Sequence, residues 1–239
     1  MKKLIIIPAY NEEKSLDKVI ADIRENASDF DYIIINDCST DNTYKMCKMK
    51  GYNVLNLPVN LGIGGGVQAG YKYAKEYDYD IAIQFDGDGQ HNAAYINDLL
   101  EHMIDNNLDM VIGSRFINKE GFQSSLLRRV GIKFLDYLIR TVAKVKVTDP
   151  TSGFRIVNKK VIHSFSQYYP SDYPEPESIA MIHRQGFKIG EIPVEMRERT
   201  EGKSSINFNR SVYYMIKVSI AILIDCLKER NEGGLDIWS

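Results

Sequence analysis

The feature that most constrains the fold is an alternation. Short apolar runs at Leu4 to Ile7, Tyr32 to Ile35, Val54 to Leu57, Ile81 to Phe85 and Met110 to Ile112 recur along the first half. Between the first four of them lie helical patterns at Glu13 to Asn26, Thr43 to Lys50 and Gly66 to Glu76. The runs are continuous rather than alternating polar with apolar, so they fit strands buried on both faces. Strand and helix in turn predict an α/β fold, a mostly parallel sheet with helices on both sides. In the first helix, Leu16, Val19, Ile20 and Ile23 fall on one face. Ligands of such sheets bind beyond the carboxyl ends of the strands, near the point where strand order reverses. The polar stretches that follow the runs are therefore where function is expected: Pro8 to Glu12, Asp37 to Asp41, Asn60 to Gly66 and Asp86 to His91.

The second half is less regular. Gly113 to Gly131 reads as a loop carrying Arg115, Arg128 and Arg129, and Lys133 to Ala143 as a helix. Asp149 to Arg155 reads as a turn, and Pro174, Pro176 and Pro193 as breaks around a helix from Ser178 to Gln185. The chain divides into one domain over 1–210 and a C-terminal helix with its tail over 211–239. Formal net charge is -2, which argues against nucleic acid as a partner. The cysteines, Cys38, Cys47 and Cys226, are odd in number and form no CxxC pair, a pattern suited to a reducing cytosol. The first apolar run stops at Pro8, too short for a signal peptide, and no run reaches the roughly 20 residues of a membrane span. A cytoplasmic location is expected.

The motif richest in chemistry is Asp86-Gly-Asp88-Gly-Gln90-His91, directly after an apolar run. Two carboxylates one residue apart on a glycine-rich turn can meet one hard cation, Mg²⁺ or Mn²⁺, which completes its shell with water and phosphate oxygens. An isolated Asp-x-Asp is more often a solvated turn; the position at a strand end favours the metal. Tyr10 offers a flat face to a nucleobase, while Asn11 suits a helix cap. Asp37 can accept from a base N–H, and Asp41 suits a cap. The run Asn60-Leu-Gly62-Ile-Gly64-Gly65-Gly66 opens a helix, where anions are favoured. It matches neither a P-loop nor a dinucleotide fingerprint.

Together, PAYNEE, NDCSTDNT, NLGIGGGVQAG, DGDGQH, GSRF and DPTSGFR resemble the family 2 inverting glycosyltransferases with a GT-A fold, from about Lys3 to Arg155. The later EIPVEMRERTEGKSS resembles the end of the polyprenyl-phosphate-mannose synthase branch. The resemblance implies that Pro8, Ala9, Tyr10 and Glu12 line a nucleotide pocket and that Asp37 contacts the base. It implies Asp86 near the ribose and metal, Asp88 on the cation, and Gln90 as a further ligand. Arg199 would meet the diphosphate, with Lys203 and Ser204 assisting. Gly62 joins the donor-binding set through its loop. Two departures stand out: the second motif reads Asn36-Asp37 where the family often has Asp-Asp, and the Glu-Asp and QxxRW motifs of polymer-forming members are absent. In their place stands Tyr173-Pro-Glu175-Pro-Glu177, with Glu177 at the position of a glutamate in the synthase branch.

The expected activity moves a sugar from a UDP-, GDP- or dTDP-sugar to a cell-envelope acceptor. A sugar hydroxyl as acceptor needs a base; Glu177 is the first candidate, with Asp149 and Glu175 behind it. A polyprenyl phosphate is already anionic and needs none, and Arg115, Arg128 and Arg129 are then candidates to bind it. The rival readings are a sugar-nucleotidyltransferase and a non-catalytic carbohydrate- or nucleotide-binding protein. The former would need a basic glycine-rich loop after the first strand, where PAYNEE stands. Val212 to Leu227 carries an apolar stripe of Val212, Met215, Ile216, Ile220, Leu223, Ile224 and Leu227. It suits packing on the domain or in a homodimer, the alternative being a helix in the membrane interface through 211–227, at the inner face of the plasma membrane.

Overall fold

The computed structural model describes residues 1–118, 126–172 and 174–198, together with Lys217, Ser219, Ile220 and Ile222; side chains at 126–130, 132, 142 and 143 are outside that description. Strand β1 (Lys3–Ala9) leads to α1 (Leu16–Asn26), β2 (Asp31–Asn36), α2 (Thr43–Met49), β3 (Val54–Asn56), α3 (Gly62–Glu76) and β4 (Ile81–Gln84). A short 3-10 turn (Ala93–Tyr95) then opens α4 (Ile96–Asp105), followed by β5 (Met110–Ser114) and α5 (Leu126–Leu138). The chain ends its described part with β6 (Arg155–Asn158), α6 (Lys159–Gln167), α7 (Pro174–Arg184) and β7 (Ile189–Pro193).

The seven strands form one sheet in the order β3-β2-β1-β4-β6-β5-β7. β1 pairs in parallel with β2 and β4, setting Ile6 opposite both Ile33 and Gln84. β6 alone runs against its neighbours, with Arg155 opposite Gln84 of β4 and Ile112 of β5. The expected parallel sheet is thus a mixed one. The four residues of β6, one of them a buried arginine, carry too weak a pattern to be read in advance.

Burial on both faces follows from the period of two along each strand. Leu4 and Ile6 of β1 join a core with Val67 and Tyr71 of α3, Phe165 of α6 and Ile179 of α7. Ile5 and Ile7 join the opposite core with Leu16, Val19, Ile20 and Ile23 of α1 and Leu99 of α4. The anticipated face of α1 is the buried one.

Three local expectations are corrected. α3 begins at Gly62, not Gly66, because the glycines pack rather than loop: the Gly64 N–H donates to Ser171 O at 3.1 Å, and a Cβ there would lie 2.1 Å from Pro170 O. The stretch from Gly113 to Gly131 is not all loop, since β5 runs to Ser114 and α5 starts at Leu126. Pro174 and Pro176 occupy the first turn of α7 instead of breaking the chain before it; the missing N–H costs nothing there.

Lys217, Ser219, Ile220 and Ile222 are helical. Ile222 is fully buried in the core with α3 and α6, whereas Ile220 is 51% exposed. The expected stripe had Ile220 facing inward; two residues span about 200° of a helix, so burying Ile222 turns Ile220 out. The rest of 211–227 lies outside the described residues. Among the described residues no helix is long and apolar enough to cross a membrane.

Candidate active site

Because β6 runs opposite to the other strands, the carboxyl ends of β1, β2, β4 and β5 and the start of β6 share one edge. Strand order reverses beside β1, between β2 and β4. The turn Asp86 to Gln90 leaves β4 at that point and stays stitched to β1: the Phe85 N–H donates to Ile6 O at 2.9 Å and the Gly87 N–H to Pro8 O at 3.3 Å.

Asp86 is held from several directions. Its Oδ1 accepts from Gln84 Nε2 at 3.2 Å. Its backbone N–H donates to His91 Nδ1 at 3.0 Å, so Nδ1 is the acceptor and the hydrogen sits on Nε2, 3.5 Å from Asp86 Oδ2. His91 is buried, stacked on Phe154 at 4.9 Å and edge-on to Phe85 at 5.3 Å. Its surroundings make it a strut for Asp86. Gln84, fully buried, accepts at Oε1 from Tyr169 Oη at 3.4 Å, which turns its amide nitrogen toward Asp86. Gly153 closes the far side. A Cβ there would lie 2.8 Å from Gln84 Nε2 and 3.2 and 3.3 Å from the Asp86 carboxylate oxygens. Asp88 Oδ1 accepts from the Gln90 N–H at 3.0 Å, which tightens the turn. Asp86, Asp88 and Gln90 all keep part of their surface in solvent.

The loops after β1 and β2 interlock. Asn11, at a positive φ of 58°, accepts at Oδ1 from the N–H groups of Thr40 at 2.8 Å and Asp41 at 3.3 Å. It caps that turn instead of α1. Asp41 Oδ1 accepts from the Thr43 N–H at 2.9 Å at the start of α2, the capping task expected of it. Glu12 Oε2 accepts from Ser15 Oγ at 2.6 Å. Pro8 and Ala9 are buried at the end of β1, and Tyr10 beyond them is 47% exposed. Asp37 is buried, and its Oδ1 accepts from the Leu61 N–H at 2.7 Å, which ties the end of β2 to the residue before Gly62.

The segment between β5 and β6 is stapled where it leaves and re-enters the sheet. Arg115 is clasped by Asp149: Nε donates to Oδ2 and Nη2 to Oδ1, each at 2.7 Å. Asp149 is fully buried and Arg115 nearly so. Burial works against the guanidinium charge, but the Asp149 carboxylate raises its pKa above the ordinary value. Ser114 and Thr148 hydroxyls meet at 2.7 Å, and Ser152 Oγ donates to Gly113 O at 2.7 Å. Glu191 of β7 accepts from the Thr148 and Asp149 N–H groups at 2.7 and 3.0 Å; burial pushes its pKa up. Arg155, fully buried, donates to Ser152 O, Pro150 O and Ser178 Oγ and so joins this segment to α7.

Glu175 and Glu177 both lie in the first turn of α7. Glu175 is partly buried. Burial raises its pKa, and the nearby Asp86 charge adds to that, while Arg155 and Arg115 oppose it. Of the expected acceptor-binding arginines, Arg115 is the one committed to Asp149; Arg128 and Arg129 are on α5 with undescribed side chains. Arg199 and Lys203 lie outside the described residues. The fastening roles of His91, Gly153 and Arg155 were not anticipated, although all three stand inside DGDGQH and DPTSGFR.

A mostly parallel sheet whose order reverses beside a strand ending in two carboxylates defines a GT-A glycosyltransferase fold. Residues 4–165 match the family described as glycosyl transferase family 2, and the chain belongs to that family. It is a glycosyltransferase. A UDP-N-acetylglucosamine–dolichyl-phosphate N-acetylglucosaminyltransferase from Methanococcus voltae is 33% identical over 211 residues, covering 80% of this chain and 84% of that protein. An undecaprenyl-phosphate mannosyltransferase from Micrococcus luteus is 27% identical over 216 residues, covering 87% and 88%. Among solved structures, glucosyl-3-phosphoglycerate synthase from Mycobacterium tuberculosis, in complex with Mn²⁺, UDP and phosphoglyceric acid, aligns with a TM-score of 0.72. It is 18% identical, and the alignment covers 98% of this chain and 81% of that one.

Proposed function

We propose that this enzyme moves a sugar from a nucleoside-diphosphate sugar to a polyprenyl phosphate, with Mg²⁺ or Mn²⁺ at the Asp86–Gln90 turn. The observation that carries the reading is the pair Asp86 and Asp88 on one turn at the reversal point of the sheet. The donors on that turn are two carboxylates and the Gln90 amide, all hard oxygens suited to either ion. Among the described residues no three His, Cys, Asp or Glu side chains gather into a cage. Asp86, Asp88 and Gln90 would hold it, and when bound it supplies positive charge against the departing diphosphate.

The remaining roles fall to the chain itself. Tyr10 presents its ring to the base and Pro8, Ala9 and Glu12 shape the pocket. Asp37 contacts the base with the oxygen that Leu61 does not use. Arg199 and Lys203 meet the diphosphate. Asp149 serves as the anchor of Arg115 and not as a base, since both its oxygens face the guanidinium. An acceptor phosphate is its own nucleophile, so no proton need be removed. The names of the two relatives, which specify dolichyl and undecaprenyl phosphate, support this acceptor. A lipid acceptor also places the enzyme at the inner face of the plasma membrane.

A second reading rests on the two carboxylates, Glu175 and Glu177, in the first turn of α7. With a lipid-linked saccharide as acceptor, Glu177 or Glu175 would take the hydroxyl proton. The test offers a polyprenyl phosphate and a polyprenyl-diphosphate-linked sugar with UDP-, GDP- and dTDP-sugars and Mn²⁺. Transfer to the phosphate that survives Glu177→Gln supports the first reading; transfer to the hydroxyl alone overturns it. Asp88→Ala should lose at least about 10²-fold in transfer while remaining folded, and an undiminished rate would remove the metal assignment.

A further inference from the structure

Past β7 the chain crosses the active-site edge, and one side chain there makes contacts that the proposed chemistry does not use. Arg197 Nη1 donates to Asp22 Oδ2 at 2.8 Å, and Nη2 donates to Asp22 Oδ1 at 3.1 Å and to Asn92 Oδ1 at 2.9 Å. Its backbone N–H donates to Gln90 O at 2.8 Å. Asp22 of α1 also accepts at Oδ2 from the Ala93 N–H at 3.0 Å and at Oδ1 from Asn26 Nδ2 at 3.1 Å. Its side chain is only 12% exposed. A small cavity of about 100 Å³ lies against this cluster, with Asp88, Gly89, Asp22, Lys18 and Arg197 in its wall.

The turn Asp86 to Gln90 is thus gripped at both ends. His91 holds Asp86 from inside the core, and Arg197 holds the Gln90 carbonyl from outside. The forked, two-point contact of Arg197 with Asp22 fixes orientation as well as distance.

We propose that Arg197 is a positioning residue: clamped on Asp22 and Asn92, it sets the place of the metal-binding turn, so that Asp86, Asp88 and Gln90 present their oxygens to one diphosphate-bound ion. This rests on the metal reading given above. Partners that orient ligating groups cost about 10–100-fold in metal affinity when removed. The clamp therefore acts through binding of the metal-diphosphate pair rather than through global stability.

The test is calorimetric titration of the full chain with Mn²⁺ and whichever of UDP, GDP and dTDP binds the wild type, alongside thermal melts. Arg197→Ala should weaken Mn²⁺-dependent nucleotide binding about tenfold or more. Arg197→Lys, which keeps the charge but loses the fork, should recover only part of it. Asp22→Asn, an independent way to open the clamp if Arg197→Ala fails to fold, should weaken binding likewise. Because both changes remove one device, the Arg197→Ala/Asp22→Asn double variant should bind no more weakly than the poorer single one. Lys159→Ala removes an exposed ion pair with Asp78 elsewhere on the surface and should leave binding unchanged. Unaltered Mn²⁺-dependent affinity in folded Arg197→Ala or Asp22→Asn, or additive losses in the double variant, overturns the proposal. Asp88→Ala in the same titration separates the two ideas: if it too binds normally, the metal reading itself fails.

Discussion

Replacing Gly153 by alanine tests how closely the Asp86 carboxylate is fitted. Two effects oppose each other. Gly153 has no left-handed φ, so alanine fits its backbone and stabilises by about 0.4–1 kcal/mol through the unfolded chain. Against this, the new Cβ would lie 2.8 Å from Gln84 Nε2 and 3.2 Å from Asp86 Oδ2. Neither neighbour yields freely, because Gln84 is buried and bonded to Tyr169 and Asp86 is bonded to Gln84 and His91. Overpacking costs about 1–3 kcal/mol, so the net loss is about 0–2.5 kcal/mol. For a domain of this size that lowers Tm by up to about 10 °C. The effect on rate is larger in proportion, since a misplacement of about 1 Å can cost 10²-fold. Gly153→Ala is expected to lower kcat/KM about 10- to 100-fold, read as nucleoside diphosphate release with Mn²⁺. Gly51 supplies the contrast: its φ is +65° and nothing lies within 4 Å, so Gly51→Ala should cost stability and spare activity. If Gly153→Ala keeps kcat/KM within about twofold of wild type, the fitted-carboxylate argument is wrong.

Asp149→Ala leaves the enclosed Arg115 charge without its carboxylate and should cost about 3–5 kcal/mol in denaturant unfolding; a loss under about 1 kcal/mol would show that the pair is not enclosed. Glu175 has a raised folded pKa, so the native state holds its proton to higher pH than the unfolded state does, and stability is lost as pH rises through that window. Glu175→Gln should therefore gain in Tm relative to wild type between pH 4 and pH 7.5, and a pH-independent difference would contradict the assignment. Cys47 is fully buried and burial lifts its thiol pKa to about 11, whereas Cys38 is partly exposed. In a Cys226→Ser background, alkylation at pH 8 should modify Cys38 first and Cys47 only on unfolding; rapid double labelling of native protein would refute this burial.

The legible parts of the sequence were those where one physical demand dominates. The middles of β1, β2 and β4 are enclosed on both faces, so Leu4 to Ile7, Ile33 to Ile35 and Ile81 to Ile83 had to be apolar. The place of DGDGQH in the fold was legible because the turn follows directly on the apolar run that forms β4. β6 was not, because it carries Arg155, whose charge is answered by carbonyls of Pro150 and Ser152 and by Ser178, partners that no periodicity announces. β7 stands at the sheet edge, next to β5 alone, and its Gly190 and Glu191 dilute any apolar run. Pro174 reads as a breaker until it is seen that a helix can begin on it. The pairing of Arg115 with Asp149 joins a candidate acceptor-binding arginine and a candidate base into one internal strut. The clamp of Arg197 on Asp22 joins positions 175 residues apart, a distance at which local pattern has no reach.

The reversed direction of β6 has a consequence for how such an enzyme can change. β5 ends and β6 begins at the same rim, and the chain on either side of the connection is pinned there by Arg115–Asp149, Ser114–Thr148 and Ser152–Gly113. A flexible loop joined to roots anchored in this way can lengthen at little entropic cost, about 0.6 kcal/mol for each doubling, whereas α5 is held in place by Leu135, which is buried in the core. The strands on either side keep their register meanwhile. Under the proposed function, a new acceptor would be accommodated by remodelling that connection, while the half of the molecule proposed to hold the nucleotide is left as it was.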